Sequence, residues 1–212
     1  MNTASNTENA SAQPSPWRSR LTLITLALLF IAPMLAAWWF YSNSGDWRPG
    51  HTTNHGTLVV PPRPLDLTQP LFVTDGSPFP AEYLRGKWTL IYIGGSSCAA
   101  PCADNLYKMR QVRLAQGENM GRVQRLFLFT DGDNPLPTAL DDYPKMDVAI
   151  LPRQAGKTFL SQFTVDNTGP SKAERIYVVD PLGNLMMYYY PDAEPRGMLK
   201  DLQRLLKVSS IG

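Results

Sequence analysis

The sequence predicts an α/β domain carried behind a single N-terminal transmembrane helix. Three observations lead to this fold class. The uncharged apolar stretch Leu21–Tyr41 is long enough to cross a bilayer, which takes roughly 20 apolar residues. Beyond residue 65, apolar runs typical of buried strands alternate with segments of helical periodicity. The only two cysteines of the chain, Cys98 and Cys102, stand between one such run and the helical segment after it.

The flanks of Leu21–Tyr41 are those of a membrane helix. Arg18 and Arg20 precede it, and Trp38 and Trp39 stand near its far end. Positive charge on the N-terminal side predicts a cytoplasmic N-terminus, and aromatic rings favour the membrane interface. The alternative is a cleaved signal peptide, which has a shorter apolar core and a small-residue cleavage site, whereas this stretch ends Trp-Trp-Phe-Tyr. We expect an uncleaved anchor in the inner (cytoplasmic) membrane, with the C-terminal domain in the periplasm.

The chain divides into four parts. Residues 1–20 are rich in Asn, Ser, Thr and Pro and predict a disordered cytoplasmic tail. The transmembrane helix covers 21–41, and the polar, proline-containing segment 42–64 predicts a tether to the domain. The domain itself is expected over 65–212. With 20 basic and 18 acidic residues, the charge is too even to indicate a nucleic-acid binder.

The elements of the domain follow from its apolar pattern. We predict strands at Leu71–Thr74, Trp88–Ile93, Val123–Thr130, Asp147–Leu151, Ile176–Val179 and Leu185–Tyr190, and helices at Ala103–Gln116, Gly156–Phe163 and Glu194–Val208. Trp88–Ile93 is an almost continuous apolar run, which suits a central strand buried on both faces. The turn Asp180–Asn184 makes a hairpin of the last two strands. Parallel strands linked by helices, then a hairpin and a closing helix, indicate a thioredoxin-like α/β sandwich.

Cys98 and Cys102 lie at the junction between a predicted strand and a predicted helix. Chemistry in open α/β sheets occurs at the carboxyl ends of the strands, and a helix N-terminus stabilises a thiolate. Residues at i and i+4 share one helical turn, so the pair could form a reversible disulfide or hold a soft metal together. Two simpler alternatives are inert buried cysteines and a static disulfide, which would stabilise little across so short a loop.

From Leu65 to its C-terminus the sequence resembles the Sco/SenC family. The resemblance is carried by Leu84–Ile93 leading into the C-x-x-x-C pair, by Val165-Asp166, and by Arg175–Gly183. It implies a thioredoxin fold and a role in assembling the copper A centre of cytochrome c oxidase. It also implies a protein partner, either a cytochrome c oxidase subunit or a copper chaperone, and a site formed by the two cysteines.

The sequence departs from this family at the third copper ligand. The family uses both cysteines and a distant histidine that follows Val-Asp, and here that position is Asn167. Ala99 and Ala103 stand where the family usually has proline after each cysteine. An amide is a poor ligand for Cu(II), whereas two thiolates can hold Cu(I). The only histidines, His51 and His55, lie in the predicted tether, where a solvated linker is the more common role.

Three functions are compatible with this combination of features. The first is thiol–disulfide exchange in oxidase assembly, with Cys98 as the attacking thiolate and Cys102 as the resolving partner, which would make the chain a thiol-disulfide oxidoreductase. The second is a Cu(I) carrier that binds copper through the same cysteines. The third is a non-catalytic assembly scaffold held by its membrane helix. The oxidase connection depends on the resemblance, because a fold alone does not fix a function.

Overall fold

The computed structural model describes residues 16–43, 53–68, 71–132, 134–152 and 156–209. The chain forms two compact units, one ending at Thr52 and one beginning at Thr53. In the first unit, helix α1 (Pro16–Asn43) contains Arg20–Phe40, the one helix of the described chain that is long and apolar enough to span a membrane. Residues 16–20, predicted as tail, belong to this helix. The rest of the predicted tail, the segment 44–52 and His51 lie outside the described residues.

The second unit is built on a six-stranded mixed sheet. Its strands are β1 (Thr57–Pro64), β2 (Trp88–Gly94), β3 (Val123–Phe129), β4 (Asp147–Ile150), β5 (Ile176–Val179) and β6 (Asn184–Tyr189), in the spatial order β1-β6-β5-β2-β3-β4. Strands β2, β3 and β4 are parallel, and the other neighbours are antiparallel. The helices are α2 (Ala100–Leu114), α3 (Gly156–Ser161), α4 (Pro170–Ala173) and α5 (Pro195–Val208). The predicted α/β class, with its closing hairpin and helix, is confirmed.

The hydrophobic core lies on both faces of this sheet. On one face, Leu106 of α2 and Leu202 of α5 pack over the central strands. On the other face, Phe159 of α3 and the neighbouring Phe163 pack beside Tyr177 of β5. Every β2 residue except its last is buried, as the continuous apolar run predicted. The central strands β2 and β3 therefore form a rigid base for the loops that follow them.

The tether prediction is wrong over residues 57–64, which form strand β1. This strand pairs antiparallel with β6, and its Val59 is buried in the core. Pro61 and Pro62 are tolerated because β1 lies at the edge of the sheet, where a missing N–H donor leaves no partner strand unpaired. The domain therefore begins at Thr53 rather than at residue 65.

The strand predicted at Leu71–Thr74 is also wrong. Only Phe72 pairs there, exchanging backbone hydrogen bonds of 3.0 and 2.7 Å with Ile150. The chain cannot continue as a strand because it turns at once through Gly76, whose φ of 82° favours glycine. Helix α2 begins at Ala100, three residues earlier than predicted, with Pro101 in its first turn.

Tyr177 places a hydroxyl group in the buried centre of the sheet. Its ring is fully buried, and its hydroxyl has no hydrogen-bond partner among the described residues. Burial raises the pKa of Tyr177 to about 12 from its ordinary value of 10.0. The stability contributed by the neutral phenol is therefore present below the unfolded pKa and is lost as the pH rises towards the folded pKa.

We expect Tyr177→Phe to raise the free energy of unfolding near neutral pH by about 1 kcal/mol, because it removes an unsatisfied hydroxyl. The same variant should lose less stability than the wild type between roughly pH 10 and 12. Urea denaturation of both proteins near neutral pH and in this alkaline window measures the two effects. A variant that is less stable than the wild type near neutral pH contradicts the prediction.

Candidate thiol–disulfide site

Cys98 and Cys102 are joined by a disulfide, with their Cα atoms 5.1 Å apart. Cys98 lies in the loop between β2 and α2 and is half-buried, whereas Cys102 lies in the first turn of α2 and is only 5% exposed. The structure thus brings the two predicted site residues together. Cys98 is therefore the more exposed residue of the pair.

The N-terminus of α2 favours negative charge beside this disulfide. Ala99 occupies the capping position, and no side chain caps the helix. The first N–H groups of a helix lack intrahelical acceptors, and the helix dipole adds partial positive charge there. The first turn contains no acidic residue, and Asp104 in the next turn is paired with Lys108 at 2.7 Å. Reduction of the disulfide would therefore release thiols into surroundings that stabilise a thiolate.

The loop that carries Cys98 is held by Asp131. Asp131 Oδ2 accepts hydrogen bonds from the backbone N–H of Ser96 at 2.6 Å and from its hydroxyl at 2.7 Å. Asp131 follows β3. Because β2 and β3 are parallel and in register, Asp131 lies at the same end of the sheet as the cysteine loop. This contact could not be predicted, because no local pattern in the sequence pairs Asp131 with Ser96.

Gly95 passes this carboxylate at close range. A Cβ atom on Gly95 would lie 2.5 Å from Asp131 Oδ2. We expect Gly95→Ala to push the cysteine loop away from Asp131 and to lower the free energy of unfolding by about 1–3 kcal/mol. It should also speed reduction of the disulfide by dithiothreitol, because the loop loses its anchor.

The matched control for this substitution is Gly121→Ala. A Cβ atom there meets nothing within 4 Å, so the free energy of unfolding should change by no more than about 0.5 kcal/mol. Urea denaturation and the rate of thiol release on reduction measure both variants. Equal behaviour of the Gly95 and Gly121 variants in both measurements would show that the loop is not constrained in this way.

A second polar cluster lies at the same end of the sheet, where β5 begins and β6 ends. The guanidinium carbon of Arg175 lies 4.7 Å from the ring centroids of both Tyr188 and Tyr190. Asp166 Oδ2 accepts hydrogen bonds from the hydroxyls of Tyr188 and Tyr190 and lies 3.5 Å from Arg175 Nη2. The hydrogen bonds from Tyr188 and then Tyr190 hold the pKa of Asp166 below its ordinary value. This cluster was not predicted, because its members meet only through the hairpin.

The polar cluster fixes the loop that carries Asn167. Both Asp166 and Asn167 adopt left-handed backbone conformations, with φ of 52° and 56°. The Thr168 N–H donates to the carbonyl of Val165 at 3.0 Å and closes the turn. Asn167 is exposed and lines a groove together with residues of β1. The described residues that line this groove include neither cysteine. The position that the resemblance assigns to a third copper ligand is therefore occupied by an amide side chain. The loop that carries it is held by the contacts of Asp166 and by the turn.

The described histidine is engaged elsewhere. His55 Nδ1 lies 3.0 Å from Asp201 Oδ1, and the His55 N–H donates to Asp201 Oδ2 at 2.8 Å. Within the described ranges, no group of three or more His, Cys, Asp and Glu side chains could hold a metal ion. The two sulfurs of the reduced pair are soft thiolate donors, and this donor set suits Cu(I) rather than Cu(II).

Comparison with known proteins gives the same fold. Residues 88–209, more than half of the chain, match the family model described as transmembrane-like, thioredoxin-like, C-terminal domain. An SCO2-like protein of Rickettsia conorii is 25% identical over 145 residues, which cover 61% of this chain and 71% of that protein.

Two solved structures extend the comparison. Yeast Sco1 with copper bound has a TM-score of 0.55 at 20% identity, covering 76% of this chain and 96% of its own. BsSco, a Sco-family cytochrome c oxidase assembly protein with a disulfide switch, has a TM-score of 0.53 at 17% identity, covering 70% and 97%. The predicted thioredoxin-like fold and the resemblance to Sco proteins are both confirmed. The chain belongs to the family of transmembrane-like, thioredoxin-like C-terminal domains.

Proposed function

We propose that this protein is a membrane-anchored thiol–disulfide exchange factor that serves cytochrome c oxidase assembly. The observation that carries the proposal is the Cys98–Cys102 disulfide at a strand-to-helix junction, with Cys98 only half-buried. The oxidase setting is supported by the fold shared with BsSco, which is itself an oxidase assembly protein. The partner in this proposal is an oxidase subunit, or a copper chaperone, whose own cysteines must be reduced before they bind metal.

The exchange reaction begins from the reduced pair. The Cys98 thiolate attacks one sulfur of the partner's disulfide, forming a mixed disulfide and releasing the partner's other sulfur as a thiolate. The Cys102 thiolate then attacks Cys98 Sγ, which forms the observed Cys98–Cys102 disulfide and releases the partner's second thiolate. The partner gains two electrons and this protein loses two. A membrane or periplasmic thiol reductant must return them before the next cycle.

Carriage of Cu(I) as cargo is a second candidate for the same site. It is favoured by two sulfur donors on residues whose Cα atoms lie 5.1 Å apart, since Cu(I) is soft and thiolates are soft ligands. Yeast Sco1 has been solved with copper bound, which supports this candidate further. The Asn167 side chain at the third-ligand position weighs against binding of Cu(II), because an amide is a poor replacement for imidazole.

The proposed setting is the periplasmic side of the inner membrane. Helix α1 would be an uncleaved anchor over residues 21–41, with residues 1–20 as a cytoplasmic tail. Arg18 and Arg20 before the apolar stretch support this orientation. The disulfide supports an oxidising compartment.

One experiment separates the two candidates. The full chain is purified in uncharged detergent, reduced without oxygen, and titrated with Cu(I) against a chelator, beside Cys98→Ser and the matched control Ser97→Ala. In parallel, its disulfide is equilibrated with a glutathione redox buffer. Exchange with weak copper binding supports the thiol factor. Tight one-to-one Cu(I) binding that only Cys98→Ser abolishes would instead establish the carrier.

A further inference from the structure

A basic cleft lies at the end of the sheet opposite the disulfide. Its volume is about 230 Å³, and its wall carries four basic side chains, Arg110, Arg113, Arg125 and Lys145. They come from the last turns of α2, the start of β3 and the loop before β4. Strand β3 starts level with the start of β2, whereas the cysteines follow the far end of β2. The cleft is therefore separate from the thiol site.

Arg125 is the buried member of this group. Its residue is 5% exposed, and its Nη2 donates to the carbonyl of Lys145 at 3.2 Å. Its Nε and Nη1 atoms are buried and have no acceptor among the residues that the structure describes. A buried cationic group without its hydrogen bonds costs free energy, and native proteins satisfy most such donors. The side chain thus lacks acceptors that an anion could supply.

The surrounding charge is only partly neutralised by the protein. None of the four basic side chains makes an ion pair with a carboxylate within the described part of the chain. Asp142 is the one acidic residue in the described lining. Asp147, the carboxylate that attracts Arg125 electrostatically, accepts a hydrogen bond from the Tyr83 hydroxyl. Burial, followed by repulsion from Arg113 and Arg110, lowers the pKa of Arg125.

We propose that this cleft binds a phosphate-type oxyanion. Guanidinium groups match the geometry of phosphate oxygens and can contact them in pairs, and three guanidiniums with one ammonium suit a multiply charged anion. Arg110 and Lys145 are exposed and would form the rim, while Arg125 would form the floor. The same chemistry is offered by free phosphates and by the phosphate headgroup of a lipid.

The test uses the full chain in uncharged detergent at constant ionic strength. Inorganic pyrophosphate, short-chain dihexanoyl phosphatidic acid and citrate are titrated by calorimetry. The variants are Arg110→Gln and Lys145→Gln, whose exposed side chains can be shortened without disturbing the core, and Lys200→Gln on α5 is the matched control. We expect one-to-one binding of a phosphate compound that each rim variant weakens by roughly tenfold or more and the control leaves unchanged.

The ligands distinguish the source of the phosphate. Preference for pyrophosphate identifies a soluble phosphate, and preference for the short-chain lipid identifies a headgroup; either result supports the site. Three results overturn the proposal. They are no saturable binding of either phosphate compound, binding by a variant with both Arg110→Gln and Lys145→Gln as tight as that of the wild type, or binding of citrate as tight as that of pyrophosphate. Because binding is the readout, this test is independent of whether the cysteines exchange thiols.

Discussion

Cys102→Ser should trap this protein on a disulfide-bearing partner, and Cys98→Ser should abolish exchange. The reason is the difference in exposure between the two cysteines, since Cys98 is half-buried and Cys102 is 5% exposed. Without Cys102, the mixed disulfide formed by Cys98 has no internal thiolate to resolve it. Without Cys98, the remaining thiol is buried within α2 and the rate should fall to that of the uncatalysed reaction.

Mass spectrometry under non-reducing conditions measures this prediction directly. The reduced variants are mixed with an oxidised peptide that contains two cysteines, and Ser97→Ala serves as the neighbouring control. A peptide adduct on Cys98→Ser but not on Cys102→Ser would reverse the assigned roles. If the reduced wild type does not exchange with any disulfide, the bond is a static staple, and its removal should then cost little stability because the loop is short.

Asp201→Ala should be among the most destabilising single substitutions in the domain, at about 3–5 kcal/mol. Asp201 is 3% exposed and lies under the first residues of the domain. Its Oδ2 accepts hydrogen bonds from the N–H groups of His55 and Gly56, at 2.8 and 2.9 Å, and from the Tyr189 hydroxyl at 3.2 Å. Burial, followed by the charge of Asp201, raises the pKa of Tyr189, so this donor stays protonated through neutral pH. Alanine leaves these buried donors without an acceptor.

Two further variants separate the components of this loss. Asp201→Asn keeps one oxygen acceptor and should cost about 1–2 kcal/mol. His55→Ala removes only the half-exposed contact of the imidazole with the carboxylate, with 45% of the histidine side chain accessible, and should cost less than about 1 kcal/mol. Urea denaturation of the three proteins gives the order. A His55→Ala loss equal to that of Asp201→Ala would mean that the imidazole, not the backbone donors, holds this segment.

The central strands could be predicted from the sequence, but the edge of the sheet could not. Strand β2 is a near-continuous apolar run and β3 ends in one, Leu126–Phe129, a pattern typical of parallel strands buried on both faces. Strand β1 contains Pro61 and Pro62, which argue against a strand unless it lies at an edge. The position of β1 at the edge follows from its pairing with β6. This is a contact between segments far apart in the sequence.

The candidate site follows the same division. The junction position of Cys98 and Cys102 could be predicted because the strand and helix patterns adjoin in the sequence. The hydrogen bonds of Asp131 to Ser96 depend on the register between β2 and β3. The contact of the Arg175 guanidinium with both tyrosine rings likewise depends on the hairpin. Such contacts are tertiary, and no local periodicity encodes them.

The prolines of β1 also affect whether strands of other molecules can pair with this edge of the sheet. An open sheet edge offers N–H and C=O groups to strands of other molecules, which is a common route to aggregation. Three of the eight β1 residues are prolines, which have no N–H to offer, and the charged Arg63 stands among them. Intermolecular strand addition along this edge is therefore disfavoured.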